Sequence, residues 1–499
     1  MKTYLPIAIC YLLLHVSSAL AQPQLAWVAR YHGGFSNQTH TPLALKLDDS
    51  GNLYVAGTSQ NASNVNEYVV LKYTPTGQQL WATRHSSHTA TSFTLRGFTL
   101  DRNGNAYLTG TGGTIKYDTT GAAVWTAPYS GRDVAVDTNG NVYVTGFSDT
   151  MFATVKLDAA GSNQWVRTHA EFGFAGEPTE SQKVAVDDLG HVFVAGWEAW
   201  DAWYRCGVSN YCHDSRPLMI AYDAAGTAVW TNAYTIGGIK WGQTVGLIAD
   251  NQGNVYVTGN GDNYYQTAMI AENGQTTWSW AYGPPGVMAM TLASNSEVYL
   301  TGGVTSGDFT FRTGYGTFKL DATGRQLWQT NYFGTPPAFS GNMSVGITSD
   351  VLANIYVTGV STNSGSFNDF VTIKYDIDGH QLLVLRYNGP ANGNDGGTGI
   401  AVAPDGSIYV TGYSANASGG SDITTIKYAS LPSIQKNSDG SIQLQFFGTP
   451  GTNCTFQSAT DLLHWTDLGS AFADTGGIFQ FTDTNAPSFP YRFYRWRVP

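Results

Sequence analysis

The sequence predicts an all-β protein: an eight-bladed β-propeller, with seven blades as the alternative, followed by a small β-sandwich. Three observations carry this prediction. A motif of the form VYVTG recurs eight times, each copy lies in a unit of four strand-like segments, and an orphan strand near the N-terminus can complete the last unit. The 58 glycines and 13% aromatic residues, against 12% charged residues, are typical of a β-rich chain with many turns.

The motif copies recur along the whole repeat region at varying intervals. They end at Gly57, Gly110, Gly146, Gly196, Gly259, Gly302, Gly359 and Gly412. The mean interval is about 51 residues, a period found in propellers and other repeat arrays.

Each unit contains an AVD segment, the VYVTG segment, an IKYD segment and a segment with tryptophan, which are rich in β-branched and aromatic residues. The tryptophans are Trp81, Trp125, Trp165, Trp230, Trp278 and Trp328. The first and third connections read Asp-x-x-Gly, as in Asp101 to Gly104 and Asp118 to Gly121. Aspartate first and glycine fourth suit a type I turn, so we expect these aspartates to be structural rather than catalytic or calcium-binding.

The two ends of the repeat region complete one another. The eighth unit has the segment ITTIKYA but no tryptophan segment after it, whereas the chain starts with LAWVARY around Trp27. We expect the N-terminal strand to complete the last blade, which leaves no open sheet edge between the two ends.

Strand order then predicts two unlike faces. In a four-stranded antiparallel blade, the first and third connections lie on one face, and the second connection and the crossover lie on the other. Because the short Asp-x-x-Gly turns are the first and third connections, the variable loops must share the opposite face.

The pattern AVD-x-x-GN-VYVTG … IKYD-x-x-G-x-x-x-W resembles the bacterial seven-bladed β-propeller repeat family over roughly residues 25 to 430. That resemblance implies the fold and no single chemistry. Past Lys427 the repeat stops, and the segments SATDLLHWTDLG, FTDTNAP and RFYRWRV resemble a small all-β module found at the ends of exported bacterial proteins.

The N-terminus predicts export. Residues 1–21 have the lysine, apolar run and Ala-Leu-Ala site of a signal peptide, so we expect a secreted, periplasmic or cell-surface protein. We assign 22–430 to the propeller and 431–499 to the C-terminal β-sandwich. We expect Cys206 and Cys212 to form a disulfide within one loop, and Cys454 to be buried and unpaired.

The predicted ligand site lies in the fourth and fifth units. The stretch WEAWDAWYRCGVSNYCHD, residues 197–214, lengthens the second connection of the fourth unit to 25 residues from Gly196 to Ala221, against 6 from Gly110 to Lys116. Connections this long are uncommon unless they are functional, and aromatic rings beside carboxylates suit a sugar ligand. The predicted ligand contacts are Trp197, Glu198, Trp200, Asp201, Trp203, Tyr204, Trp241, Asp262 and Tyr264. The alternative is a local core of tryptophans over the rim.

We predict an exported binding or scaffold propeller, monomeric, whose partner is a carbohydrate or a protein. The net charge of −11 argues against nucleic acid, and no later apolar run is long enough to span a membrane. The sequence contains no metal-binding, phosphate-loop or serine-hydrolase motif, so we expect no metal and no cofactor and assign no catalytic residue.

Two enzymatic alternatives remain. A glycosidase or lyase could draw a carboxylate pair from Glu171, Glu177, Glu180, Glu198, Asp201 and Asp214. A quinone-dependent oxidoreductase is suggested by YDAAGTAVW, which is similar to the tryptophan-docking repeat of quinoprotein dehydrogenases. The adjacent cysteines of those enzymes are absent here, which weakens the second alternative.

Overall fold

The structure is a computed structural model of the chain. It describes residues 23–34, 37–86, 92–146, 148, 151–169, 180–199, 204–205, 211–212, 215–233, 242–261, 264–283, 286–307, 312–334, 341–362, 367–429, 433–437, 439–447, 452–473 and 478–497. Within these ranges the chain forms eight four-stranded antiparallel sheets, in agreement with the eight repeats of the sequence.

The strands follow one another in the order that the repeats predict. The chain begins with β1 (Gln24–Tyr31). Sheet 1 contains β2 (His40–Leu47), β3 (Leu53–Gln60), β4 (Asn66–Tyr73) and β5 (Gln79–His85). Sheet 2 contains β6 (Leu95–Leu100), β7 (Ala106–Gly110), β8 (Gly113–Tyr117) and β9 (Ala123–Ala127). Sheet 3 contains β10 (Asp133–Val136), β11 (Val142–Thr145), β12 (Phe152–Leu157) and β13 (Asn163–His169).

Sheet 4 carries an insertion between its second and third strands. It contains β14 (Glu180–Val186), β15 (Val192–Ala199), the paired two-residue strands β16 (Tyr204–Arg205) and β17 (Tyr211–Cys212) as a separate ladder, β18 (Ser215–Tyr222) and β19 (Ala228–Asn232). Sheet 5 contains β20 (Gly242–Ala249), β21 (Val255–Gly261), β22 (Tyr264–Ile270) and β23 (Thr276–Tyr282).

The remaining sheets repeat the same order. Sheet 6 contains β24 (Val287–Leu292), β25 (Val298–Thr305), β26 (Thr313–Leu320) and β27 (Gln326–Tyr332). Sheet 7 contains β28 (Met343–Ser349), β29 (Ile355–Thr362), β30 (Asn368–Tyr375) and β31 (Gln381–Tyr387). Sheet 8 contains β32 (Asp395–Val402), β33 (Ile408–Ala415), β34 (Ser421–Ala429) and, as its fourth strand, β1. The N-terminal strand therefore completes the last sheet, as predicted.

The chain divides into two compact units. The larger comprises Val28–Ala401 and Val410–Thr425, and the smaller comprises Met1–Trp27, Val402–Tyr409 and Ile426–Pro499. The predicted domain boundaries at residues 22 and 430 stay predictions, because residues 1–22 and 430–432 lie outside the described ranges.

The innermost strands of the larger unit form a closed ring. β2 contacts β6, and the contacts continue through β10, β14, β20, β24 and β28. A Cβ on Gly346 of β28 would lie 3.6 Å from Gly399 of β32, and a Cβ on Gly399 would lie 3.5 Å from Ala44 of β2. The first strands of the first and eighth sheets are thus neighbours, which confirms the predicted propeller.

The C-terminal residues form two three-stranded sheets. One contains β35 (Ser433–Lys436), β36 (Ile442–Phe447) and β39 (Ile478–Asp483); the other contains β37 (Asn453–Ala459), β38 (Thr466–Phe472) and β40 (Phe493–Arg497). A short 3-10 helix, Ala486–Ser488, precedes β40. Phe446, Phe456, Phe479 and Tyr494 form a common core with Cys454, which is free and buried as predicted.

The aspartate turns are held by their own carboxylates. Asp101 Oδ1 accepts hydrogen bonds from the amides of Asn103 (3.0 Å) and Asn105 (2.9 Å), and Asp101 Oδ2 accepts from Asn105 Nδ2 (2.7 Å) and Tyr107 Oη (3.0 Å). The same bonds recur around Asp137 and Asp350. The aspartates of these first turns are therefore structural, as the turn chemistry predicts.

Each of the repeat tryptophans donates a hydrogen bond to the third hairpin turn of the next sheet. Trp81 Nε1 donates to the carbonyl of Thr119 (3.0 Å), and Lys72 Nζ donates to the same oxygen (3.3 Å). The Lys72 ammonium also lies over the Tyr54 ring, 4.7 Å from its centroid. The paired donation recurs at Ala159, Ala224 and Ile377. This contact explains why lysine, tyrosine and tryptophan recur together in the repeat.

Buried ion pairs join the outer strands at the other end of three sheets. Arg84 Nε lies 2.6 Å from Glu67 Oε2 in sheet 1, and corresponding pairs join Arg386 to Asp369 and Arg30 to Asp422. Such a pair holds strands three and four together where the aspartate turns are absent.

No helix among the described residues is long and apolar enough to cross a membrane.

Candidate functional site

The groove between sheets 4 and 5 is built on a shared apolar core. Ala195 of β15 and Met219 of β18 pack against Val257 of β21 and Ala268 of β22. Side chains alternate between the two faces of a strand, so residues two apart continue the same line. These lines run along both walls of the interface toward the connection that carries the insertion.

Trp197 and Tyr264 are the next members of these two lines. Trp197 follows Ala195 in β15 and is half-buried, and Tyr264 precedes Ala268 by two alternate positions in β22 and is 44% exposed. They therefore stand on the facing walls of the interface between sheets 4 and 5. The structure brings together these two predicted ligand contacts.

A buried amide lies lower in the same interface. Gln266 lines a narrow cavity together with Gly196, Pro217 and Thr244, and its side chain is almost fully buried. Among the described residues, Gln266 Nε2 has no hydrogen-bond partner. A buried donor without a partner is destabilising unless water or a ligand supplies an acceptor.

Glu198 faces the other way. It was expected in the insertion beside Trp197, but β15 continues to Ala199, and alternation sends the two side chains to opposite faces of the sheet. Glu198 Oε1 accepts from Arg216 Nε (2.5 Å), and Glu198 Oε2 lies 3.6 Å from His169 Nε2 of sheet 3. Trp197 and Glu198 therefore face opposite sides of sheet 4, and the assignment of Glu198 as a ligand contact stays a prediction.

The electrostatics of Glu198 are those of a structural carboxylate. Burial by itself raises the pKa of Glu198, but the hydrogen bonds and charges of His169 and Arg216 outweigh it and hold the pKa below its ordinary value. The residue is only 1% exposed. A carboxylate that is ionised, paired and buried is poorly placed to donate or accept a proton from a ligand.

A second cavity, of about 360 Å³, lies on the sheet 3 side of sheet 4. Its lining includes Arg167, His169, Tyr222 and Thr227. Arg167 crosses the gap, since its Nε donates to the carbonyl of Gly226 (2.6 Å) and its Nη2 to that of Ala225 (3.1 Å). The guanidinium is thus already engaged by turn carbonyls.

The other predicted site residues are only partly described. Trp200, Asp201, Trp203, Trp241, Asp262 and Cys206 lie outside the described residues. Tyr204 lies in β16, where it pairs with Cys212 of β17 through the backbone. The Cys206–Cys212 disulfide and all nine predicted ligand contacts stay predictions.

Comparison with known proteins agrees with this architecture. A family model described as "Beta-propeller repeat" matches residues 127–150. The solved structure of the Dos1 propeller aligns with a TM-score of 0.54 at 10% identity, covering 82% of this chain and 95% of that one. The chain therefore carries at least one repeat that matches this family model, and it has the β-propeller fold.

Other solved structures add no further argument. The WD40 domain of SCAP from fission yeast is 8% identical, with a TM-score of 0.40, covering 81% of this propeller chain and 98% of that one. A protein from Lactobacillus plantarum is 13% identical, with a TM-score of 0.43, covering 60% and 87% respectively. No curated protein matches the sequence significantly. Likeness at such identities shows the fold alone.

Sequence reasoning missed Gln266 and Arg216. Tyr264 was a predicted contact two residues before Gln266, but only burial in the structure shows that the Gln266 amide has no partner among the described residues. Within the described part of the propeller, no group of three or more histidine, cysteine, aspartate or glutamate side chains could hold a metal ion.

Proposed function

We propose that this protein is an exported propeller that binds a carbohydrate in the groove between sheets 4 and 5. The observation that carries the proposal is the placement of Trp197 and Tyr264 on the facing walls of that groove, above the partner-free amide of Gln266. A protein partner on the same surface is the alternative outcome.

The aromatic residues suit the hydrophobic face of a sugar. The C–H surface of a pyranose stacks on aromatic rings, and two rings on opposite walls can hold one sugar between them. Tyr264 remains 44% exposed, which is a large fraction for an aromatic side chain in a strand. A ligand would cover this surface.

The buried amide supplies the polar contact. Ligand sites are mostly apolar, with a few fixed polar groups that set orientation. Gln266 Nε2 is a donor held in place by its surroundings, and a sugar hydroxyl or a bridging water is the acceptor that it lacks. Its role in binding is separable from a role in folding.

The face of the propeller that carries the short turns has fewer polar groups available to a ligand. The turns there use their carboxylates on their own amides, and their carbonyls accept from the tryptophans and lysines of the preceding sheet. Groups already paired in this way contribute little to a ligand. Of the six carboxylates considered for an enzyme, Glu180 pairs with Arg132 and Glu198 pairs with Arg216, and the other four lie outside the described residues.

The test is binding to an array of soluble polysaccharides and oligosaccharides, repeated with variants. Trp197→Ala and Tyr264→Ala are expected to weaken binding about tenfold or more, since each removes a ring contact of roughly 1–3 kcal/mol. Tyr491→Ala is the matched control, because Tyr491 is 62% exposed but lies in the C-terminal module. Binding that survives both groove variants, or a wild-type protein that binds no glycan, overturns the proposal.

Gln266→Met separates binding from folding. Methionine keeps the volume and removes the buried donor, so the unfolding midpoint should stay the same or rise. Glycan affinity should fall, because the ligand or its bridging water loses its donor. An unchanged affinity would remove Gln266 from the site.

A further inference from the structure

The innermost strands share a bulge at one position. In sheets 1 and 2 the register with the second strand slips by one residue, leaving Leu43 and Arg96 without a partner in the ladder. The same slip in sheets 4 to 7 leaves four residues without a partner in the ladder: Gln182, Val245, Met288 and Val345. Arg132 in sheet 3 occupies the equivalent place, since it and Asp133 both pair with Thr145. A bulge re-aims the side chain of the extra residue.

These bulge residues face the axis of the larger unit. One edge of each innermost strand pairs with the second strand, and both faces pack against the neighbouring sheets, so the remaining edge, where the bulge lies, is turned toward the axis. Leu43 and Met288 are each 37% exposed although β2 and β24 are innermost strands. The axis is therefore lined by a ring of bulge side chains, which we call the axial ring.

The axial ring has two unlike halves. Sheets 2, 3 and 4 contribute two arginines and a glutamine; sheets 5, 6, 7 and 1 contribute only apolar side chains. The polar arc is Arg96, Arg132 and Gln182, and the apolar arc is Val245, Met288, Val345 and Leu43. The innermost strands β20, β24 and β28 carry no charged residue at all.

Part of the polar arc is already engaged. Arg132 forms an ion pair with Glu180, and the amide of Gln182 donates to Glu180 Oε2 (3.1 Å) and accepts from the Thr244 amide (2.6 Å). Arg96 forms no hydrogen bond and no ion pair with any residue in the described ranges. Its guanidinium is therefore available to a ligand.

Two further cations lie on innermost strands, Lys183 in the half that carries the polar arc and Lys46 in sheet 1 of the apolar half. Lys46 of β2 and Lys183 of β14 also lack an ion-pair partner among the residues that the structure describes. Burial lowers the pKa of Lys46, and the charge of Asp133 offsets part of that effect. The Lys46 side chain is nevertheless exposed, which is the behaviour of an ammonium in a water-filled space enclosed by protein.

We propose that the axial ring binds an amphipathic organic anion, with a carboxylate or sulfonate on Arg96 and an apolar body against Met288 and its neighbours. An arginine in an enclosed space binds such a head group through charge-assisted hydrogen bonds, and the facing apolar arc buries the rest of the molecule. In a chain of net charge −11, Arg96 and Lys183 lie in the same half without an ion-pair partner among the described residues, and their charges favour an anion there.

The first test uses 1-anilinonaphthalene-8-sulfonate, a fluorescent amphipathic anion, with competing ligands and the wild-type protein. We expect one saturable site that decanoate empties, while decanol, without the charge, and acetate, without the apolar body, compete at least tenfold more weakly. Equal competition by decanol and decanoate would show that the polar arc plays no part, and the absence of a saturable site would also overturn the proposal.

The second test uses variants of the ring. Arg96→Gln should weaken decanoate binding about tenfold or more, and Met288→Gln should weaken it several-fold, since a buried charge-assisted contact and an apolar contact are lost. Arg102→Gln is the matched control, because Arg102 is an exposed arginine paired with Asp188 outside the ring. Equal affinity of Arg96→Gln and Arg102→Gln contradicts the assignment. Trp197→Ala should leave decanoate binding unchanged, so failure of the groove proposal and failure of this one are distinguishable.

Discussion

The contact between tryptophan and the next sheet's turn can be tested at a single glycine. Gly324 lies in the third turn of sheet 6 with φ +79°, and a Cβ built on it would stand 2.5 Å from Trp278 Cδ2. Trp278 Nε1 donates to the carbonyl of Ala322 in the same turn (2.9 Å). Gly324→Ala therefore forces the turn away from the indole.

The magnitude follows from two separate effects. Alanine in the left-handed region is disfavoured by about 1 kcal/mol relative to glycine. Crowding against the buried Trp278 ring adds roughly 1–3 kcal/mol, because a ring packed between two sheets cannot move freely. The expected destabilisation is about 2–4 kcal/mol.

Gly190→Ala isolates the backbone effect. Gly190 has φ +86° in the first turn of sheet 4, but a Cβ there would lie 3.8 Å from Ala224 Cβ, an ordinary contact. This variant should lose only about 1 kcal/mol. Urea unfolding followed by far-ultraviolet circular dichroism, with refolding checked for each variant, gives both values on one scale.

A double-mutant cycle identifies the ring as the cause. In a Trp278→Leu background, Gly324→Ala should fall to the level of Gly190→Ala, a coupling of about 1–3 kcal/mol. The reasoning is refuted if Gly324→Ala and Gly190→Ala are equally destabilising in the wild type, or if Gly324→Ala is unchanged by the loss of the indole.

Three further predictions concern buried polar groups. Glu198→Gln should destabilise the protein by about 3–5 kcal/mol at neutral pH, because the buried ion pair with Arg216 loses its carboxylate charge. Since the Glu198 pKa is lowered in the folded state, the stabilising effect of Glu198 is present above about pH 4.5, and the gap to wild type should shrink as the pH falls below that value in acid unfolding curves. Cys454, whose pKa burial raises to about 11, should not react with a thiol reagent at pH 8 in the folded protein and should react fully in urea; rapid native labelling would contradict its burial. Asp101→Ala should lower stability by about 1–2 kcal/mol in urea unfolding, while leaving the hairpin formed, because the equivalent turn at Ala293 keeps its backbone bonds without aspartate.

The repeat predicted most of the fold because each local signal was present many times. Eight copies of one strand motif, and turn chemistry at two of three connections, allow no other strand order than four antiparallel strands per unit. The completion of sheet 8 by β1 followed from counting strands, since one unit lacked a tryptophan segment that the N-terminus could supply. None of this needed a distance between side chains.

The site was harder to predict because it depends on which face of a strand each residue occupies. Trp197 and Glu198 are adjacent in sequence, and only the continuation of β15 to Ala199 shows that they point into different interfaces. The axial ring depends on a bulge, which adds one residue to one strand. The sequence pattern does not reveal this bulge, because the extra residue recurs at the same place in most units and leaves the repeat itself unchanged.

The repeat tryptophan is replaced in the one sheet whose neighbour has no third hairpin turn among the described residues. In sheet 6, Trp328 pairs with Lys319 across the outer strands and reaches the third turn of sheet 7. In sheet 7 the residue paired with Lys374 is Leu383, and the fourth strand of sheet 8 is β1, so sheet 8 has no third hairpin turn for an indole to bind. An indole N–H there would lack this acceptor, and a leucine needs none. Since the regular positions of a repeat are fixed by contact with the next unit, a departure without such an explanation points to function. Arg96 and Met288 lie at equivalent bulge positions, and Tyr264 lies at the loop end of β22. The repeat contact with the neighbouring sheet does not fix the residue type at these positions, so ligand binding should be tested there first.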